Sequence, residues 1–447
     1  MKAVKKILYL VMAAGLFMTT HSCKTEFENH NAASEDAVFK TAEAYPGLVL
    51  GITQHFTQNA VYEIVRGPGV VAREIAATNT YLTEPELETG NIPQENASIS
   101  LLWKYLHYER GVAEKIVDNI DNVTFINDAE KAGIKAYAKF MKGMTTAYLG
   151  FYWEMATVKN DPDNKAEFKP RAEVLRAALA DMNDALAILD ANDGAEDYIN
   201  GLVSVMFSFK DVINVYRARI ALELGQYDQA LAAANAVDPS ALSVWTYESA
   251  TSSRNPIYMH QYDPGASERW KGIENMGVNV ESGDQRLDFY LGASTGIVST
   301  TSCHFPTNFI LGFWDEVDED IPVYLPDEVK LIKAEAQARL GNLGAAVALI
   351  NEVRQDTDDP FGVNAGLGPW TPASPSEQEV LDQVFYNYAM EVYLQGMRWL
   401  AHRRIYPHHL DGIDQDVPCD KQRTRNFFPY PYNEVSNNPN VPEDPSI

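Results

Sequence analysis

A chain of 447 residues, 46% apolar and 11% aromatic, has the means to bury a large core and is not a disordered polymer. Its 62 acidic residues against 36 basic ones leave a formal charge of −26, which argues against nucleic acid and against docking on anionic lipid through basic patches. Of three cysteines, Cys23 follows an apolar leader, while Cys303 and Cys419 could pair outside the cytoplasm, although their spacing does not show them to be close.

Lys2, Lys5 and Lys6 precede an apolar run, Ile7 to Met18, too short to span a bilayer. This is the pattern of a signal peptide, residues 1–22. Thr20-His21-Ser22-Cys23 resembles a bacterial lipobox, with Thr20 where Leu or Val is usual, and predicts a lipid on Cys23. Polar residues 24–45 read as a tether into a first helix near 33–56. From 61 to 97 the pattern weakens, and Gly67-Pro68-Gly69, Pro85 and Gly90-Asn91-Ile92-Pro93 mark loops.

Helical periodicity then dominates, over 101–120, 129–157, 170–189 and 207–224. Tyr137, Met141, Met144, Tyr148 and Tyr152 recur at three- and four-residue steps, a stripe that reads as core. Leu224-Gly225-Gln226-Tyr227-Asp228-Gln229-Ala230 is the turn of a tetratricopeptide-like repeat, and Leu340-Gly341 with Ala346 repeats the frame. Between the two copies, residues 240–322 carry many Pro, Gly and Ser/Thr and concentrate aromatics. Pro326 and Asp327 open a helix to Leu340, and a second runs from Ala345 to Arg354. After a Gly/Pro-rich loop, 377–404 reads as one long helix. The expectation is a mostly α, tetratricopeptide-like helical-repeat body: an N-terminal helical part, 24–239; an irregular, loop-rich insertion, 240–322; and a C-terminal helical part, 323–447.

Catalytic patterns are weak. Gly292-Ala293-Ser294-Thr295-Gly296 fits Gly-x-Ser-x-Gly, but no strand–turn–helix context surrounds it. His402, His408 and His409 near Asp411, Asp414 and Asp416 match no established metal spacing, so neither metal nor cofactor is expected. Asp284-Gln285-Arg286 reads as a turn, and Glu391 with Arg398 as a structural pair. Aromatics in loops are the sharper signal, because sugar rings present C–H faces that stack on Trp and Tyr while amides and Arg bind hydroxyls. Trp270, Trp314, Tyr258 and Tyr262, with polar or Gly/Pro neighbours, are the candidate ligand-binding residues, with Tyr81 and Asn79 added from the early loop.

The run from Leu325 to Arg354 resembles the C-terminal signature of the SusD/RagB-like outer-membrane lipoproteins of Bacteroidetes. Glu328, Leu331, Ile332, Ala334, Glu335, Ala336, Gly341, Asn342, Ile350, Asn351, Val353 and Arg354 occupy its positions. Glu391, Gly396, Arg398, Trp399 and Arg403 match a second family pattern, from which Gln395, Ala401 and His402 depart. Lys24-Thr25-Glu26-Phe27-Glu28 resembles the charged export signal that follows the lipidated cysteine. The resemblance implies a lipid-anchored, cell-surface nutrient-uptake protein of the outer membrane. It implies capture of an oligosaccharide without bond making or breaking, and delivery to a SusC-like TonB-dependent transporter. Peptide capture, as in RagB-like relatives, a helical scaffold with no small ligand, and a hydrolase are the alternatives.

Overall fold

The computed structural model describes residues 38–445 apart from 126, 205, 251, 265, 411–418, 420 and 421. The leader, the lipidation candidate Cys23 and Asp411, Asp414 and Asp416 lie outside the described residues. The chain opens on a nearly continuous helical rod: α1 (Tyr45–His55), a π-helical segment (Phe56–Ala60) and α2 (Val61–Val71). The sequence reading placed a loop at Gly67-Pro68-Gly69; the structure makes it helical and buried. Close approach explains the glycines. A Cβ on Gly67 would sit 3.1 Å from Ser98 and 3.3 Å from Phe428, and one on Gly69 3.2 Å from Leu394.

Strand β1 (Ile75–Ala77) and α3 (Thr83–Thr89) lead into the long α4 (Ala97–Asn119) and α5 (Asp128–Tyr152). Asn96 and Asn127 cap these two helices by accepting backbone N–H groups at N2. The Tyr137–Tyr152 stripe of α5 is buried, as periodicity predicts. A two-stranded ribbon, β2 (Met155–Thr157) with β3 (Phe168–Pro170), precedes α6 (Arg171–Ala191) and α7 (Ala195–Val203).

Two helical hairpins carry the repeat turns: α8 (Phe209–Glu223) with α9 (Tyr227–Asn235), and, after the insertion, α12 (Pro326–Arg339) with α13 (Leu343–Arg354). Gly225 and Gly341 adopt φ of 68° and 82°, the left-handed conformation that ends each first helix. Arg219 of α8 reaches Glu328 of α12 through two hydrogen bonds of 2.7 and 2.6 Å, and Tyr388 donates to the same carboxylate at 3.0 Å. Glu335 holds Arg404 in the same bidentate way, at 2.9 and 2.7 Å. These two glutamates of the family signature are thus buried clamps between helices.

The segment between the hairpins contains β4 (Val244–Trp245), α10 (Pro256–Gln261), β5 (Trp270–Ile273), α11 (Arg286–Tyr290), β6 (Leu291–Val298), β7 (Pro306–Ile310) and β8 (Ile321–Pro322). Strands pair antiparallel in the order β1-β5-β7-β6, with β4 and β8 as a separate ribbon. Ser294 lies within β6, opposite Asn308 of β7, and not on a strand-to-helix elbow. Asp284 accepts two hydrogen bonds from Arg286, at 3.0 and 2.7 Å, closing the Asp-x-Arg turn. Cys303 and Cys419 form a disulfide across 116 residues.

The predicted single helix over 377–404 is two helices, α14 (Glu377–Glu391) and α15 (Arg398–Ile405). Leu394 and Gly396 between them take φ of 60° and 74°. Buried Glu74 accepts the Leu394 N–H at 2.9 Å, and Tyr152 donates to the Gly396 carbonyl at 3.1 Å, so the break is held from outside the helix. It also separates Glu391, which faces Arg286 at 3.5 Å, from Arg398, which donates to the Met276 carbonyl and to Gln422. A short α16 (Tyr432–Asn437) closes the chain. No helix among the described residues is long and apolar enough to cross a membrane.

Candidate functional site

The strands of the insertion bring distant segments together at one edge of the sheet. Ala77 of β1 pairs with Trp270 of β5, so the loops at 78–82 and 263–269 leave the sheet side by side. Thr78 donates from its backbone to Arg269 O and from its hydroxyl to Glu268 O, both at 3.0 Å. Thr300 clamps the same loop from the other side, donating to Ala77 O at 2.8 Å and to Asn79 O at 2.9 Å. Asn79 then accepts the Tyr81 N–H at 2.9 Å, an Asx turn that turns the next residues outward. Tyr81 is 57% exposed, and the Arg269 guanidinium lies 4.5 Å from its ring centroid.

Polar atoms are left over at this place. Asn79 Nδ2, Arg269 Nε and Glu84 Oε2 are shielded from solvent and have no hydrogen-bond partner among the described residues. Unpartnered buried polar atoms also occur elsewhere among the described residues, and what sets these apart is the exposed ring beside them. Behind them, His260 stacks on Tyr62 with centroids 3.9 Å apart, and Arg66 covers Tyr62 at 5.1 Å. Arg66 is itself spent on Glu63, at 2.9 and 3.0 Å, and on Glu84 at 3.3 Å. Desolvation against its neighbours, helped by the Arg66 and Arg269 charges, holds the His260 imidazole down to about 4 although the residue as a whole is exposed.

Alternation along β5 sends Trp270 into the core and Lys271 to the opposite face. There Lys271 pairs with Glu268 at 3.1 Å and lies over Phe309, which is 40% exposed, at 5.3 Å, and over Tyr262 at 5.7 Å. Tyr262 is half-buried, its hydroxyl donating to Ile310 O, with half-buried Tyr258 tilted against it at 6.2 Å.

Of the residues named from sequence, Asn79 and Tyr81 stand at the sheet edge, Tyr81 against Arg269, and Tyr258 and Tyr262 flank the neighbouring face. Trp270 and Trp314 are fully buried and offer no ring face to a ligand. Trp270 packs 6.5 Å from Tyr62, and Trp314 packs 6.1 Å from Phe313. Most insertion aromatics share that fate, among them Trp245, Tyr247, Tyr290 and Phe313. Sequence reasoning missed Tyr62, His260 and Arg269. Arg269 stood next to a singled-out tryptophan, but only the strand pairing sets it beside Tyr81.

No family model and no curated protein matches the sequence. Solved structures do match. A SusD superfamily protein from Bacteroides thetaiotaomicron VPI-5482 superposes with a TM-score of 0.70 at 15% identity, over 91% of this chain and 100% of that one. A SusD-like carbohydrate binding protein from Bacteroides vulgatus ATCC 8482 superposes at 0.61 and 16% identity, over 79% of this chain and 82% of that one. NanU of B. fragilis does so at 0.62 and 14%, over 93% and 99%. The chain thus has the fold of the SusD superfamily, as the C-terminal signature implies.

Proposed function

We propose that this protein captures an oligosaccharide at the Tyr81–Arg269 site. The observation that carries the reading is the exposed Tyr81 ring set beside unpartnered polar atoms of Asn79, Arg269 and Glu84. A sugar presents a C–H face for the ring and hydroxyls for the orphaned donors and acceptors. A structural neighbour described as a carbohydrate binding protein supports the ligand class. On this reading the chain is anchored to the outer membrane through Cys23 and passes its cargo to a SusC-like TonB-dependent transporter. The pre-formed site needs only modest affinity, because cargo must be released inward.

Calorimetric titration with a panel of oligosaccharides and peptides tests this. Saturable sugar binding, weakened at least tenfold by Tyr81→Ala and by Arg269→Ala, is the expected result. Binding of peptides alone would move the protein to the RagB-like branch, and binding of neither would leave a scaffold.

A further inference from the structure

A second feature of the rod formed by α1 and α2 is unexplained by the Tyr81 site. Its π-helical segment, Phe56–Ala60, interrupts an otherwise regular helix. Such segments are rare and concentrate at functional places. Beside it lies a groove of about 470 Å³ between α1 and α4. Tyr108 of α4, 54% exposed, lines this groove, with its ring tilted by 40° against His55 at 4.4 Å. Buried Glu109 fixes the His55 ring through a hydrogen bond between its Oε1 and the ring Nδ1, 2.8 Å long. Gln54 and Gln58 donate to the backbone carbonyls of Ser252 and Arg254, at 3.2 and 3.0 Å, and Asn59 donates to His55 O at 2.9 Å. Each amide keeps a carbonyl oxygen for a ligand hydroxyl.

Two glycines form part of the wall. A Cβ on Gly47 or Gly51 would meet nothing within 4 Å, so neither close packing nor a positive φ calls for glycine. Glycine inside a helix costs about 0.5–1 kcal/mol relative to alanine; here that cost keeps a hollow open. The chain carries 62 acidic and 36 basic residues, yet among the described residues no Asp, Glu, Lys or Arg lines this groove. Gln54 and Gln58 also border an adjoining hollow of about 270 Å³, with Thr53, Thr57 and the acidic Glu248.

We infer that this groove is a second binding site, distinct from the Tyr81 site, for a neutral extended oligosaccharide. An exposed ring, three amides and a groove whose described lining has no Asp, Glu, Lys or Arg suit a polyol, and the adjoining hollow, with one acid at Glu248, suits a chain longer than one sugar.

The full chain would be titrated calorimetrically with cellohexaose, maltohexaose, xylohexaose and mannohexaose. In the Tyr81→Ala protein one saturable hexasaccharide event survives, and adding Tyr108→Ala or Gly51→Trp weakens it at least tenfold. Gly51→Trp fills the hollow, and unchanged melting temperatures show that both variants fold. If Tyr81→Ala removes all binding while Tyr108→Ala and Gly51→Trp bind like the unaltered protein, the second site is refuted and the Tyr81 site stands. Absence of any hexasaccharide binding refutes both. Displacement of the surviving sugar by hexaalanine would overturn the ligand assignment.

Discussion

The helical hairpins and the sheet of the insertion solve the same problem differently. In the hairpins the two signature glutamates are matched, Glu328 by Arg219 and Glu335 by Arg404, each through two hydrogen bonds, although Arg339 Nε and Gln226 Oε1 of the same hairpins have no hydrogen-bond partner among the described residues. At the sheet edge the polar atoms of Asn79, Arg269 and Glu84 are left without partners, and Tyr81 stands in solvent. The contrast sets buried clamps between helices against a solvent-facing ring, and on the proposed reading a ligand completes the unpartnered atoms beside that ring.

The largest expected effect joins the two regions. Cys303 belongs to the loop that begins with Thr300, the clamp on the Asn79–Tyr81 loop, and its disulfide closes a span of 116 residues. Chain entropy over that span sets an upper bound of about 5 kcal/mol on the stability lost in Cys303→Ala. Denaturant unfolding would show the loss, and sugar titration would show weaker binding as the loop loosens. A stability loss with unchanged binding would mean that the backbone bonds of Thr78 and Thr300 hold the loop unaided.

Next comes Glu328→Ala. Arg219 would be left buried and Tyr388 would lose its acceptor, a loss of about 3–5 kcal/mol in denaturant unfolding. Binding at the proposed Tyr81 site should be unchanged in whatever fraction stays folded. Loss of sugar affinity in the folded protein would show the two regions to be coupled.

These outcomes bear on what the sequence could reveal. The repeat hairpins were legible because glycine, periodicity and alanine crossings are local signals, and Gly225 and Gly341 behave accordingly. The rod at 61–71 was not, because its Gly-Pro-Gly answers to contacts with Ser98, Phe428 and Leu394 far along the chain. The break at Leu394–Gly396 escaped notice for a like reason, since Glu74 and Tyr152 impose it. Asn79 and Tyr81 are singled out by their place in a loop, and the structure sets Tyr81 beside Arg269. Trp270 was misplaced because a four-residue strand is too short to show its alternation, and polar neighbours made it look exposed. Tyr62, His260 and Arg269 meet only through tertiary pairing.

A smaller effect depends on pH. Burial pushes Glu74 up to about 7 from 4.5, against the opposing pull of Arg398 and the Leu394 N–H. The folded protein keeps this proton up to about pH 7, whereas the unfolded chain releases it near 4.5. Its contribution to stability is therefore full below 4.5 and is lost as pH rises through 7, a swing of about 3 kcal/mol. Glu74→Gln keeps the acceptor for Leu394 and should flatten the fall in melting temperature between pH 5 and pH 8. An unchanged slope would assign that fall to other buried acids.

The smallest effect is a gain. Gly51→Ala adds a Cβ that meets nothing within 4 Å and restores helix propensity, so denaturant unfolding should show about 0.5–1 kcal/mol of extra stability. In the hairpins the same gain is unavailable, because Gly225 and Gly341 hold positive φ and an alanine there would be strained. If Gly51→Ala stabilises the rod and leaves hexasaccharide binding intact, while Gly51→Trp abolishes the second binding event, then the groove needs volume at Gly51 and the fold does not need glycine. If Gly51→Ala destabilises instead, the glycine serves the helix and its π-segment, and the wall of the groove loses its argument.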